Sequence, residues 1–130
     1  MSGNGETLLV VEDDPTILKL TRRMLSETGY KVIAVRSPQE AIALIQAKGT
    51  GDIQLLVTDV VMPEMNGREL SERLQVLCPG LKTLFMSGYT ADIIARRGIR
   101  ETGVHYIQKP FSGKDLAVCV RRAMDAVPPG

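Results

Sequence analysis

Long apolar runs are missing from this chain of 130 residues. No stretch approaches the ~20 apolar residues of a membrane span, and the N-terminus lacks the charged-then-apolar layout of a secretory signal. Charge of one sign is missing too. Sixteen basic residues against fifteen acidic leave a formal charge of +1, no electrostatic footprint for nucleic acid, which calls for a concentrated basic face. Cysteine is scarce. Cys78 and Cys119 read as free thiols in a reducing interior rather than as a disulfide framework, which makes a cytoplasmic location the simplest expectation. The lone histidine, His105, lacks the helical context of a phospho-accepting histidine and reads as structural or exposed. Neither G-x-x-x-x-G-K-S/T nor G-x-G-x-x-G occurs, so nucleotide binding has no support. There is no internal repeat and no low-complexity segment.

What remains is an ordinary globular composition, 44% hydrophobic and 24% charged, with enough chain for one domain and its core. The small polar residues 1–6 read as a flexible lead-in. Residues 8–11 are four consecutive aliphatics. Such a run does not alternate, so the strand should be covered on both faces, as in parallel sheets. Asp14 suits an N-cap and Pro15 the first helical position. Apolar spacing at Ile17, Leu18, Thr21, Met24 and Leu25 predicts the helix that follows, and Gly29 its stop. A second aliphatic run at 32–35 leads to Ser37-Pro38-Gln39-Glu40, a capping box opening a helix with Ala41, Ile42, Leu44 and Ile45 inward.

The centre of the chain is 53–67. An apolar run, Leu55-Leu56-Val57, ends in Asp59, and a loop with Pro63 and the Asn66-Gly67 pair precedes a helix patterned on Leu70, Leu74 and Leu77. A fourth strand at 83–86 ends in Ser87-Gly88, and a helix over 90–97 has few apolar anchors. A fifth strand at 104–108 ends in Lys109-Pro110. A last helix starts at Ser112-Gly113-Lys114-Asp115 and buries Leu116, Cys119, Val120 and Ala123. Residues 126–130 read as a linker or cut end. Five strand–helix units in strict alternation, joined by right-handed crossovers, predict a parallel sheet with helices on both faces.

The strand ends collect the chemistry. Glu12, Asp13 and Asp14 follow the first strand, Asp59 ends the third, Ser87 the fourth and Lys109 the fifth. In a parallel sheet these ends share one edge, with neighbouring strands ~4.8 Å apart. If the first and third strands are neighbours, Glu12, Asp13 and Asp59 converge, and three such charges repel unless a cation sits among them. A hard divalent ion such as Mg²⁺ fits oxygen ligands of this kind. With Lys109 as fixed positive charge and Ser87 as a hydroxyl donor, the set contains the parts phosphoryl transfer requires. Asp14 reads as a helix cap rather than a ligand.

Val10-Val11-Glu12-Asp13-Asp14, Thr58-Asp59-Val60-Val61-Met62-Pro63 with Asn66-Gly67, Met86-Ser87-Gly88 and Tyr106-Ile107-Gln108-Lys109-Pro110-Phe111 occur in order at family spacing. Over 7–125 the chain resembles the receiver domain of two-component response regulators. The resemblance implies a doubly wound, flavodoxin-like (βα)5 fold with strand order 2-1-3-4-5. It implies that Asp59 accepts a phosphoryl group from a phosphohistidine on a sensor histidine kinase or a histidine phosphotransfer protein. It assigns Mg²⁺ to Asp13, Asp59 and the backbone carbonyl of Val61, with Glu12 acting mostly through water. Ser87 and Lys109 would grip the phosphoryl oxygens, and Tyr106 would rotate inward as Ser87 moves, a population shift between two packings. No direct nucleic-acid or membrane partner is implied, and self-association would use the helix at 90–97 and the last helix.

The departures from the family pattern are informative. Glu12 stands where Asp is frequent, its extra methylene favouring a water-mediated contact. Val61 and Tyr89, each two residues beyond a site residue, are bulky and non-acidic, and would shield an acyl phosphate from water. Val61 also stands where an aspartate-nucleophile phosphatase or phosphotransferase would carry its general acid, and no cap domain is present, which weighs against that alternative. A phosphorylation-independent receiver-like scaffold would have a damaged acid cluster, and this one is intact. A stretch of this length is expected to hold the receiver-like domain without an output domain. The run 85–90 and the Pro-Pro-Gly ending resemble receivers attached to hybrid sensor kinases, with a single-domain regulator as the other expectation.

Overall fold

The computed structural model describes residues 5–48, 53–62, 65–88 and 105–125. Five strands, β1 (Thr7–Val11), β2 (Lys31–Val35), β3 (Ile53–Asp59), β4 (Lys82–Ser87) and β5 (His105–Gln108), form one sheet in the order β2-β1-β3-β4-β5. Every pairing is parallel. The doubly wound, flavodoxin-like expectation of order 2-1-3-4-5 is met. The described helices are α1 (Pro15–Glu27), α2 (Pro38–Lys48), α3 (Gly67–Leu77) and α4 (Gly113–Asp125). The helix expected over 90–97, one of the two elements of the expected self-association surface, lies outside the described residues, as do Val104 and Tyr89.

The unbroken aliphatic runs are explained by burial on two sides. Leu8 and Val10 join Leu55, Val57, Leu84 and Met86 in a core closed by Leu18 and Leu25 of α1 and Leu116 and Val120 of α4. Leu9, Val11 and Leu56 face the other way, toward Ala41 and Ile45 of α2 and Leu70 and Leu74 of α3. Full burial of each such leucine contributes ~1.5–3 kcal/mol, so a one-residue slip of β1 would exchange the two sets and disturb both cores.

Local signals hold the helices in place. The Asp14 carboxylate accepts from the backbone N–H of Thr16 at 2.9 Å and of Ile17 at 3.3 Å, with Pro15 at the first helical position. That is the capping role expected of it. α1 ends at Glu27, and Gly29 takes the left-handed backbone (φ 96°) that turns the chain toward β2. At α2 the Ser37 hydroxyl accepts from Glu40 N–H at 3.1 Å, but the Glu40 carboxylate takes its hydrogen bond from Arg36 N–H, one residue before the expected position. The complete capping box lies instead at α3, where Asn66 and Glu69 bond reciprocally. The Asn66-Gly67 pair is therefore a helix start rather than loop.

Four helical positions expected to face inward differ from the sequence reading. Leu77 is exposed, as is Val76, while Leu70 and Leu74 fill the core. Cys119 is half-buried, and Met124 joins the core of α4. Ile42 and Leu44 are half-buried at the rim of theirs. Cys78 and Cys119 are not joined in a disulfide. Among the described residues no helix is long and apolar enough to cross a membrane.

Candidate functional site

The direction of strand crossover reverses between β1 and β3, and open α/β sheets bind ligands in the crevice beyond that point. Backbone bonds step across this edge and set its side chains. Glu12 N–H donates to Val35 O at 3.2 Å, Val60 N–H to Met86 O at 2.9 Å, and Lys109 N–H to Ser87 O at 2.7 Å. Residues just past β1, β3 and β5 are thus each tied to a neighbouring strand.

The three acids meet as the sequence predicts. Glu12, Asp13 and Asp59 each offer a carboxylate oxygen, and these oxygens lie within 4.8 Å of one another. Glu12 and Asp59 are buried while Asp13 is exposed, so the cluster has a closed floor and an open rim. Lys109 reaches in from beyond β5. Its Nζ donates to both Glu12 oxygens at 3.0 Å and lies 3.2 Å from Asp59 Oδ1. The Lys109–Pro110 peptide is cis. Asp14 stays outside the cluster as a cap.

The electrostatics follow from that geometry. Burial, above all, pushes the Glu12 carboxyl up to about 7; hydrogen bonding and charge from Asp59 push the same way, and Lys109 opposes them. One lysine does not offset three acids. An octahedral Mg²⁺ with ligands at ~2.1 Å places its neighbouring oxygens roughly 3 Å apart. Small side-chain rotations would bring these carboxylates to that spacing, and hard oxygen donors suit that ion. The donor set fits.

Ser87 is wholly buried at the end of β4. Val61 and Tyr106 are half-buried and pack against Val60 and Phe85 in a small third cluster beside the site. His105 is half-buried, and its Nε2 has no hydrogen-bond partner. The contacts of two residues near the acceptor go beyond what their motifs indicate. The Thr58 hydroxyl donates to the Asp59 carbonyl at 3.1 Å, and Phe85 forms the floor under Val61 and Tyr106. The aliphatic character of β4 signals burial of Phe85 but not its neighbours. Gly67 N–H donates to Val60 O at 2.8 Å, closing the loop beyond Asp59.

This sheet order, with acids, hydroxyl and lysine along its C-terminal edge, defines a signalling domain of the two-component type. Residues 8–121 match the response regulator receiver domain family, and the chain belongs to that family. It is 36% identical over 125 residues to the sensor kinase CckA of Brucella abortus, covering 96% of this chain and 13% of the kinase. It is 32% identical over 126 residues to the DNA-binding transcriptional regulator NtrC of Azospirillum brasilense, covering 97% of this chain and 26% of the regulator. The chain thus spans about a quarter or less of these relatives. The crystal structure of the receiver domain from hybrid histidine kinase CckA superposes with a TM-score of 0.76 at 29% identity, covering 92% of this chain and 99% of that one. A receiver protein from Sinorhizobium medicae superposes at 0.80, with 23% identity and coverage of 95% and 97%.

Proposed function

We propose that this receiver domain accepts a phosphoryl group on Asp59 from a phosphohistidine, with Mg²⁺ held at the acid cluster, and so switches a partner-binding surface. The observation that carries the reading is the convergence of Glu12, Asp13 and Asp59 within 4.8 Å, with Lys109 on Glu12 and Asp59. In the transfer an Asp59 carboxylate oxygen forms the new bond to phosphorus as the phosphorus–nitrogen bond breaks, and the imidazole keeps the electron pair.

Asp13, Asp59 and the Val61 carbonyl would hold the ion directly and Glu12 mostly through water; the ion would neutralise charge on the transferred oxygens. Lys109, already on the Asp59 carboxylate, would exchange part of that contact for a phosphoryl oxygen. Ser87 would donate its hydroxyl to another. Tyr106, packed on Phe85 and Val60, would move inward as Ser87 shifts, and the outer surface of β5 would change with it.

A sensor kinase and a DNA-binding regulator both contain regions similar to this chain. A sensor histidine kinase or a histidine phosphotransfer protein is therefore the donor we infer, with the domain acting as substrate and switch rather than turnover enzyme. Cys78 and Cys119, which form no disulfide with each other, suit the reducing cytoplasm. Incubation with acetyl phosphate and Mg²⁺, followed by intact mass and peptide mapping, tests the reading. One phosphoryl group on Asp59, absent without Mg²⁺ and absent from Asp59→Asn, is the expected result. A phosphoryl group mapped elsewhere would overturn it.

A further inference from the structure

We infer that Gly67 is a positioning residue for the acid cluster: lacking a side chain, it lets the first turn of α3 sit directly on the backbone carbonyl of Asp59. A Cβ at residue 67 would lie 2.3 Å from the Asp59 carbonyl oxygen, 3.2 Å from its carbonyl carbon and 3.1 Å from Thr58 Cγ2. Carbon atoms in ordinary contact keep ~3.5–4.0 Å apart. The first two neighbours are backbone inside a sheet and cannot rotate aside. The same glycine is tied from its other side, since its N–H donates to Val60 O at 2.8 Å.

The need is for space rather than for an unusual conformation. Gly67 is not among the glycines with positive φ, which among the described residues are Gly5, Gly29 and Gly80. A second glycine in the same helical position provides the contrast. Gly113 begins α4 as Gly67 begins α3, yet a Cβ there would meet only the Met24 side chain, nearest at Cγ 3.6 Å away, an ordinary contact. The start of a helix does not itself demand glycine. Contact with the acceptor's carbonyl does.

The consequence for the site is direct. Gly67→Ala must displace either the start of α3, which closes the loop carrying Val60 and Val61, or the end of β3, which carries Asp59. Either movement opens the spacing of Asp59 to Glu12 and Asp13. Groups that orient a metal's ligands typically alter its affinity by ~10–100-fold when changed. This role rests on the phosphoryl-accepting reading above.

The test compares the parent, Gly67→Ala and Gly113→Ala by Mg²⁺ calorimetry, by urea unfolding and by the rate of phosphoryl gain from acetyl phosphate at saturating Mg²⁺. Gly67→Ala should bind Mg²⁺ about tenfold or more weakly and be phosphorylated more slowly even when saturated, while Gly113→Ala behaves as the parent. A parent that gains no phosphoryl group on Asp59 would overturn the underlying reading and this role with it. A phosphorylated parent beside a Gly67→Ala protein of unchanged affinity and rate would overturn the role of Gly67 alone. Should Gly67→Ala not fold, the unaltered protein supplies the second readout. On Mg²⁺ addition the Gly67 amide resonance should shift while that of Gly113 stays; an unmoved Gly67 amide would refute the contact's part in the site.

Discussion

Lys109 Nζ stands 3.0 Å from both carboxylate oxygens of Glu12, a residue ninety-seven positions earlier in the chain. The Glu12 side chain is 1% exposed and that of Lys109 16%, so this is a pair largely shut off from water. The same ammonium is 3.2 Å from Asp59. Two buried acids share one lysine, and the arrangement is one positive charge short. That deficit makes the site receptive to a dication, and it governs what each substitution here should do.

Removing the shared lysine should cost stability in a way that depends on pH and on metal. Lys109→Met leaves Glu12 and Asp59 facing each other without their cation, and breaking a buried pair in this way destabilises by up to about 3–5 kcal/mol. At pH 5 Glu12 can take up a proton, so the loss should be smaller there than at pH 8. Mg²⁺ should restore part of it. Urea unfolding at both pH values, with EDTA and with Mg²⁺, checks this. A loss equal under all four conditions would show that Lys109 acts through packing alone.

Asp59→Asn should behave in the opposite sense. It removes one of two acids competing for Lys109, while the Glu12–Lys109 bonds at 3.0 Å remain. Metal-free stability should therefore hold or rise, and phosphorylation should vanish. The parent should gain about 1.4 kcal/mol at Mg²⁺ ten times its dissociation constant, and Asp59→Asn clearly less at the same concentration. Thermal melts with and without Mg²⁺ measure both. A strongly destabilised Asp59→Asn protein would mark the residue as structural.

How much of this was legible in sequence depends on the range of the interaction. Unbroken runs such as Leu8-Leu9-Val10-Val11 announce a strand covered on both faces because burial acts on every residue. Asp14 and Pro15 announce a helix start because capping is local. Leu77 was misleading: helical spacing places it on the same stripe as Leu70 and Leu74, yet it is exposed, because spacing says which face a residue shares and not what covers that face. Glu40 was nearly right, since its carboxylate does fold back but reaches Arg36 rather than Ser37. The acid cluster was predictable from strand ends once β1 and β3 were taken as neighbours. Lys109 was expected at the cluster, but its direct bonds to Glu12 and the crowding at Gly67 were not legible, because each depends on how closely segments approach in three dimensions, which spacing alone does not fix.

The lifetime of the phosphorylated form should depend on Val61. Its side chain packs with Tyr106 against Val60 and Phe85, an apolar cover beside Asp59 that offers no base to activate water. Replacing Val61 and Tyr89 together by glutamine should shorten the life of the acyl phosphate severalfold while leaving its formation from acetyl phosphate intact. Decay of the phosphoprotein after removal of phosphodonor, followed by intact mass, measures this. A parent that loses phosphate faster than the polar double variant would refute the shielding role.

The pH dependence of metal-free stability should bear the mark of Glu12. Its carboxyl, normally near 4.5, stands at about 7 in the folded protein, first through burial and then through Asp59, with Lys109 opposing. Between these values the folded state keeps a proton that the unfolded chain has released. The resulting stabilisation is fully present below about 4.5 and is lost as pH rises through about 7. At ~1.4 kcal/mol per pH unit the loss is at most about 3 kcal/mol. Glu12→Gln, which mimics the protonated acid, should flatten the fall in urea midpoint between pH 5 and pH 8 in EDTA; a fall as steep as the parent's would place its source elsewhere. Mg²⁺ works against the same proton. Its affinity for the parent should strengthen as pH rises through about 7, because an ionised Glu12 attracts the ion and accepts from its water shell, and a protonated one does neither as well. In Glu12→Gln that strengthening should largely disappear.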